Sequence, residues 1–181
     1  DPLVDGVLLI LNAPDLGWAQ AEELRAMIYR LRSEGKWVYS FIQNAQMTTY
    51  MVATATEAIW ISPTGTLNVN GLLKEQFYLK SALDQFKITA EFLTVGAYKS
   101  APETFTREGP SEEASKVDEG LLDARFEALT AAIAERTGAE QVKEVINRGP
   151  YSAQTALKVK LVDSVVQAID LETELRRRYK A

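Results

Sequence analysis

Strand-like and helix-like stretches alternate along this chain, and that alternation restricts the fold more than any other feature. Residues 4–11 (VDGVLLIL) form a dense apolar run ending at Asn12, Ala13 and Pro14, and read as a strand buried in a sheet covered on both faces. Residues 19–33 carry helical periodicity, with Ala21, Leu24, Ile28 and Leu31 on one face and Gly35 placed to cap the C-terminus. A second strand is predicted over 37–42 (WVYSFI), a short helix of small and apolar residues over 47–56, and a third strand over 57–61 (EAIWI), stopped by Ser62, Pro63, Thr64 and Gly65. Residues 66–72 read as a short extended segment. An amphipathic helix is predicted over 74–86, with Phe77, Leu79, Ala82, Leu83 and Phe86 as its apolar positions, and a fourth strand over 89–95 (TAEFLTV). From 111 the pattern turns helical: a long helix over 111–136, short helices over 139–147 and 151–159, a short strand or turn at 161–163, and a charged helical tail from 171. Ser111, Glu112 and Glu113 suit the first turn of the long helix. Strands alternating with helices, joined by right-handed crossovers, give an α/β fold.

At 181 residues the chain fits a single domain with a sizeable core. The net charge is −5, the basic residues are dispersed, and the one basic cluster is Arg176, Arg177 and Arg178. These features argue against a nucleic-acid partner. With no cysteine there are no disulfides or thiolate metal sites, and with no histidine a zinc site is not expected. No metal or cofactor is predicted. No apolar run approaches the roughly 20 residues that cross a bilayer, and no signal peptide is visible. The chain begins with Asp1 rather than Met, so it is expected to be a piece of a longer protein.

The residue that carries chemistry best is Lys99, in the stretch 96–102 (GAYKSAP). It follows an apolar strand-like run, stands between small residues, and precedes an acidic helical segment. A partly desolvated amine can lose its proton near neutral pH and then act as a general base toward a serine hydroxyl. The chain offers neither imidazole nor thiol, so lysine is the natural base for acyl transfer. The plainer reading is a solvated lysine at a strand-to-loop junction, the state of most lysines. The catalytic role requires partial burial and no close carboxylate, and Glu103, four residues on, stands against it. Ser100 could orient the lysine, although adjacent side chains on a strand point to opposite faces. Thr48 and Thr49 are hydroxyl nucleophiles only in principle, and Ser40 reads as structural. Residues 66–71 are either a sheet edge open to an extended peptide or a plain crossover. Trp18, Trp37 and Trp60 read as packing residues. Residues 111–134 read as a core-facing helix that also joins a subunit contact, with Glu112, Glu113, Asp118 and Glu119 on its solvated face.

Four stretches together resemble the signal peptide peptidase A family, also called protease IV: DPLVDGVLLILNAP, EAIWISPTGTLNVNGL, FYLKSALDQFKITAEFLTVGAYKSAPETFTREGPSEEA and YSAQTALKVKLVD. Order and spacing match over residues 1–170, and GAYKSAPETF followed by an acidic helix is the most specific part. The resemblance implies a ClpP/crotonase-like spiral of ββα units in a single domain over residues 1–181. It also implies that Lys99 is the base of a serine–lysine peptidase.

The chain departs from the family where the nucleophile should stand. The family's serine opens a helix in a pattern like Ser-Gly-Gly-Tyr, and the matching residues here are Met47, Thr48, Thr49 and Tyr50. A thioether cannot attack a carbonyl. The loop after the first strand, Pro-Gly-Gly in the family, is Pro14, Asp15, Leu16 and Gly17. Asp15 would bring a negative charge toward a developing oxyanion, the wrong sign for stabilisation. Tandem-domain members split the dyad between repeats, and this chain resembles the N-terminal, lysine-bearing repeat. The resemblance then implies a serine-bearing second repeat or neighbouring subunit, a peptide substrate such as a spent signal peptide, a homo-oligomer, and a place on the outer side of the bacterial cytoplasmic membrane. The alternative is a catalytically silent paralogue that works in assembly. Acyl-CoA chemistry, known in crotonase relatives, lacks a Gly-Gly oxyanion pair or a carboxylate placement to support it.

Overall fold

The computed structural model describes residues 3–12, 14–93, 95–96 and 98–178. In chain order the elements are β1 (Gly6–Asn12), α1 (Trp18–Ser33), β2 (Trp37–Ala45), α2 (Met47–Thr54), β3 (Ala58–Leu67), α3 (Lys80–Gln85), α4 (Glu103–Thr106), α5 (Glu112–Thr137), α6 (Val142–Arg148), β4 (Tyr151–Ser152), α7 (Ala153–Lys158), β5 (Ser164–Val165) and α8 (Leu171–Arg178). The fold is α/β, as the sequence predicts. Two compact units form, one from Asp1–Gly71 with Glu127–Ala181, the other from Leu72–Phe126. Among the described residues no helix is long and apolar enough to cross a membrane.

The first unit is built on a sheet in the order β1-β2-β3-β4, with β5 also paired to β3. β1, β2 and β3 run parallel, β4 is antiparallel to β3, and β5 is parallel to it. β2 and β3 are apolar on both faces because both faces are covered. On one side Tyr39, Phe41 and Trp60 pack with Val166 and Leu171. On the other Val38 packs with Ala21 and Ile28 of α1, Val52 of α2, and Ala55 just after it. The apolar stripe read from the sequence of α1 is the one that docks, and Gly35 follows the helix at φ +80°, a left-handed position that glycine takes without cost. Trp60 is fully buried and meets Tyr39 edge-on at 5.3 Å between ring centres, so the packing role predicted for it holds. Tyr39 also meets Trp37 edge-on at 5.7 Å.

Three expectations in this unit change. β1, predicted to be buried, lies at the sheet edge and is mostly half-buried, with Ile10 61% exposed, although Leu8 packs on one face and Val7 and Leu9 on the other. The apolar run sets strand character, but position in the sheet depends on pairings that local sequence does not encode. β3 does not stop at Ser62. Ile42 pairs with Ile61 while Asn44 pairs with Thr66, so residues 62–65 bulge out opposite a single residue of β2 and the strand then resumes. Asn44 Oδ1 secures the resumption by accepting from the Thr66 amide at 3.2 Å and the Thr66 hydroxyl at 2.9 Å. Lastly, Thr66 and Leu67 are not an open edge, since β2 pairs on one side and β4 on the other.

The bulge depends on glycine. A Cβ on Gly65 would lie 2.5 Å from the Gln43 carbonyl oxygen and 2.7 Å from Cγ1 of Ile61. Gly65→Ala is therefore expected to destabilise the fold by about 1–3 kcal/mol, the range for forcing extra volume into a packed site. Urea unfolding checks this, and an unchanged midpoint would show that the bulge can relax.

In the second unit two predicted elements shrink. Only Lys80–Gln85 of the predicted helix over 74–86 is helical, and residues 89–95, of which Thr94 lies outside the described residues, form no described strand. Phe77 and Phe86 are exposed. A short helix draws its stability from tertiary packing rather than from propensity, and a strand needs a pairing neighbour. Within this unit Phe92 stacks on Phe105 at 5.8 Å.

Candidate active site

The resemblance read from the sequence sets the family's nucleophile position at Met47, which lies in the first unit. Met47 opens α2 and is 8% exposed, so a buried thioether occupies the helix start. Thr49, fully buried, donates its hydroxyl to the Pro14 carbonyl at 3.3 Å, which joins the loop after β1 to the first turn of α2. The loop and the helix start are thus brought together. The Gly17 amide of this loop is taken by Gln20 Oε1 at 2.9 Å, and Asp15 is exposed. Thr48 is half-buried. Ser40 is buried and paired with Thr56 at 3.0 Å between hydroxyl oxygens, the structural role predicted for it.

α2 is held firmly from behind. Arg25 donates to the Met51 carbonyl at 2.6 Å and to the Thr54 hydroxyl. The same guanidinium meets Tyr29 at 3.0 Å and Glu135 at 3.1 Å. Arg32 donates to the Ala55 carbonyl at 2.7 Å. Two arginines thus satisfy carbonyls at the C-terminal end of this short helix, where cations suit the helix dipole. Sequence reasoning passed over this cluster, although Arg25 and Tyr29 are one helical turn apart and pointed to it. At its other end α2 is tied by Tyr50, whose hydroxyl donates to the Leu161 carbonyl at 2.8 Å. Burial raises the Tyr50 phenol well above its ordinary value, so it stays a donor.

The second unit carries Lys99. The residue lies in an irregular turn, and its amide approaches the Gly96 carbonyl at 3.4 Å. Ala97 lies outside the described residues. Leu93, Val95, Tyr98 and residues 99–102 line an open groove of about 580 Å³. Lys99 is exposed, so the partial burial expected of a base is not supplied by the described residues, among which it forms no ion pair. Ser100 lines the same groove, because the segment is a turn and not a strand whose side chains alternate. Its carbonyl accepts from the Glu103 amide at 2.9 Å.

Glu103, read from the sequence as an opponent of Lys99, is engaged elsewhere. Its Oε1 accepts from the Ser111 hydroxyl at 2.5 Å and its Oε2 from the Ser111 amide at 2.9 Å. These two donors hold the carboxyl below its usual range. Ser111 in turn accepts from the Ala114 amide at 3.1 Å and so caps α5. Among the described residues no group of three or more acidic side chains is placed to hold a metal ion.

The fold matches that of a peptidase from Plasmodium falciparum, with a TM-score of 0.54 and 9% identity over 91% of this chain and 80% of that one, a likeness of fold alone. Residues 30–181 match peptidase family S49, and the chain belongs to that family. It is 25% identical over 180 residues to the chloroplastic serine protease SPPA of Arabidopsis thaliana, covering 98% of this chain. It is 27% identical over 158 residues to protease 4 of Salmonella typhi, covering 82% of this chain. The chain spans 27% and 26% of the lengths of those two relatives.

Proposed function

We propose that this chain supplies the general base, Lys99, of a serine–lysine peptidase whose serine comes from a second repeat or a neighbouring subunit. The observation that carries the reading is a division of parts. The start of α2 holds buried Met47, while the groove in the other unit presents a lysine without an ion pair among the described residues. In the reaction, neutral Lys99 takes the proton of the partner's serine as its oxygen attacks the peptide carbonyl. The lysine returns a proton to the amine that leaves, and water then releases the acyl group with the same lysine as base. Leu93, 106% exposed, and Val95, 91% exposed, line the same groove as Lys99, and covering that groove with partner or peptide would remove water from it. The substrate class that fits is an extended peptide with apolar side chains, signal peptides among them. In this reading the assembly is a homo-oligomer on the outer side of the bacterial cytoplasmic membrane.

A second reading, a silent module that serves assembly, draws on buried Met47 and on Asp15 in the loop beside it. One measurement separates the two. The chain alone is expected to cleave no peptide ester, and adding the serine-bearing module is expected to produce turnover that Lys99→Ala removes. Turnover by the mixture that survived Lys99→Ala, or by the chain alone, would overturn the split-dyad reading.

A further inference from the structure

The sequence sets a carboxylate four positions after Lys99, on a helix of a single turn. An acidic side chain free to reach an exposed lysine would pair with it and keep the proton on the amine. The structure gives Glu103 a different partner for each carboxylate oxygen, the Ser111 hydroxyl at 2.5 Å and the Ser111 amide at 2.9 Å. Both ends of this clamp are anchored. The Glu103 amide donates to the Ser100 carbonyl at 2.9 Å, within the Lys99 turn. The Ser111 hydroxyl is oriented by the Ala114 amide at 3.1 Å, and the Ser111 carbonyl accepts from Ser115 at 2.9 Å in the first turn of α5. Arg107 and Asp118 are the charged groups that also act on Glu103, in opposite directions.

We propose that Ser111 is a positioning residue for Lys99: by engaging both oxygens of Glu103 it keeps that carboxylate from pairing with the amine. The inference rests on the reading of Lys99 as a base, but its test does not. The probe is an amine-acylating N-hydroxysuccinimide ester at pH 7.5, applied to the whole chain. Labelling of Lys99 is followed by peptide mass spectrometry relative to exposed Lys143. Ser111→Ala removes the hydroxyl bond to Oε1 and keeps the amide bond to Oε2, and is expected to lower Lys99 labelling by about three- to fivefold, because the half-released carboxylate can then pair with the ammonium. Adding Glu103→Gln to that variant removes the charge and is expected to restore labelling to within about twofold of the parent. Ser111→Thr, which keeps the hydroxyl and the amide, should leave it unchanged. A merely structural clamp gives another pattern, since the double variant lacks the hydroxyl bond as fully as Ser111→Ala and would stay low.

Unchanged labelling in Ser111→Ala, or no recovery in the double variant, overturns the proposal. Should Ser111→Ala fail to fold, Glu103→Gln alone decides: labelling within about twofold of the parent supports charge sequestration, and a rise of more than about threefold, the sign of a carboxylate already paired with the amine, overturns it. If the labelling pattern appears while Lys99→Ala leaves turnover intact, the base assignment fails and the clamp stands. If turnover needs Lys99 but labelling ignores Ser111, only the clamp fails.

Discussion

On the split-dyad reading, Lys99→Ala, in a protein that joins this chain to a serine-bearing module, is expected to lower turnover by about 10²–10⁴-fold, the usual contribution of a positioned general base. The melting temperature and far-ultraviolet circular dichroism should not change, because Lys99 is exposed and forms no ion pair among the described residues. The loss should fall on kcat with little change in KM, since the base acts in the transition state and not in holding the substrate. Lys99→Arg should be as inactive as the alanine variant. A guanidinium keeps its proton at any working pH and cannot serve as a base. A variant retaining a tenth or more of the parental turnover would place the base elsewhere.

Trp60→Ala should produce the largest loss of stability. The side chain is fully buried in β3, meets Tyr39 edge-on, and belongs to the cluster with Phe41, Val166 and Leu171. Truncating a buried aromatic costs about 3–5 kcal/mol, from lost transfer energy and from the cavity that remains. For a chain of this size the melting temperature should fall by about 6–20 °C. Trp60→Phe, which keeps the ring contact and much of the volume, should recover most of that. A shift below about 2 °C in the alanine variant would mean that the sheet face collapses to fill the space.

The parts of the fold legible in the sequence were those fixed by local period. The stripe Ala21, Leu24, Ile28 and Leu31 announced α1, and the continuous runs around Phe41 and Trp60 announced strands. What escaped depended on distant partners. Thr66 and Leu67 looked like a possible free edge because their second neighbours, Ser152 and Tyr151, lie more than eighty residues on. The bulge at 62–65 carried the signals of a stop, because Pro63 and Gly65 punctuate a strand in the same way whether it ends or resumes. Phe77 and Phe86 had helical spacing, yet α3 forms only over Lys80–Gln85, since amphipathic spacing alone does not supply the surface a short helix needs. At the candidate site the sequence singled out Lys99 and Glu103, but it read their spacing as conflict. Ser111 was visible as a helix start, and an N-terminal serine is an available donor. Nothing in the spacing said that its hydroxyl and amide would turn back eight residues to Glu103.

The end of α8 sets a practical limit on how this chain can be cut or fused. Arg178 stands over the Tyr39 ring at 5.5 Å and the Trp60 ring at 5.9 Å, and donates to the Tyr39 hydroxyl at 3.2 Å. A guanidinium roofing two aromatic rings excludes solvent with its flat face and stem as well as with its charge. A boundary drawn a few residues earlier would therefore trim more than a charged tail, since it would unroof the aromatic pair around which the sheet is packed.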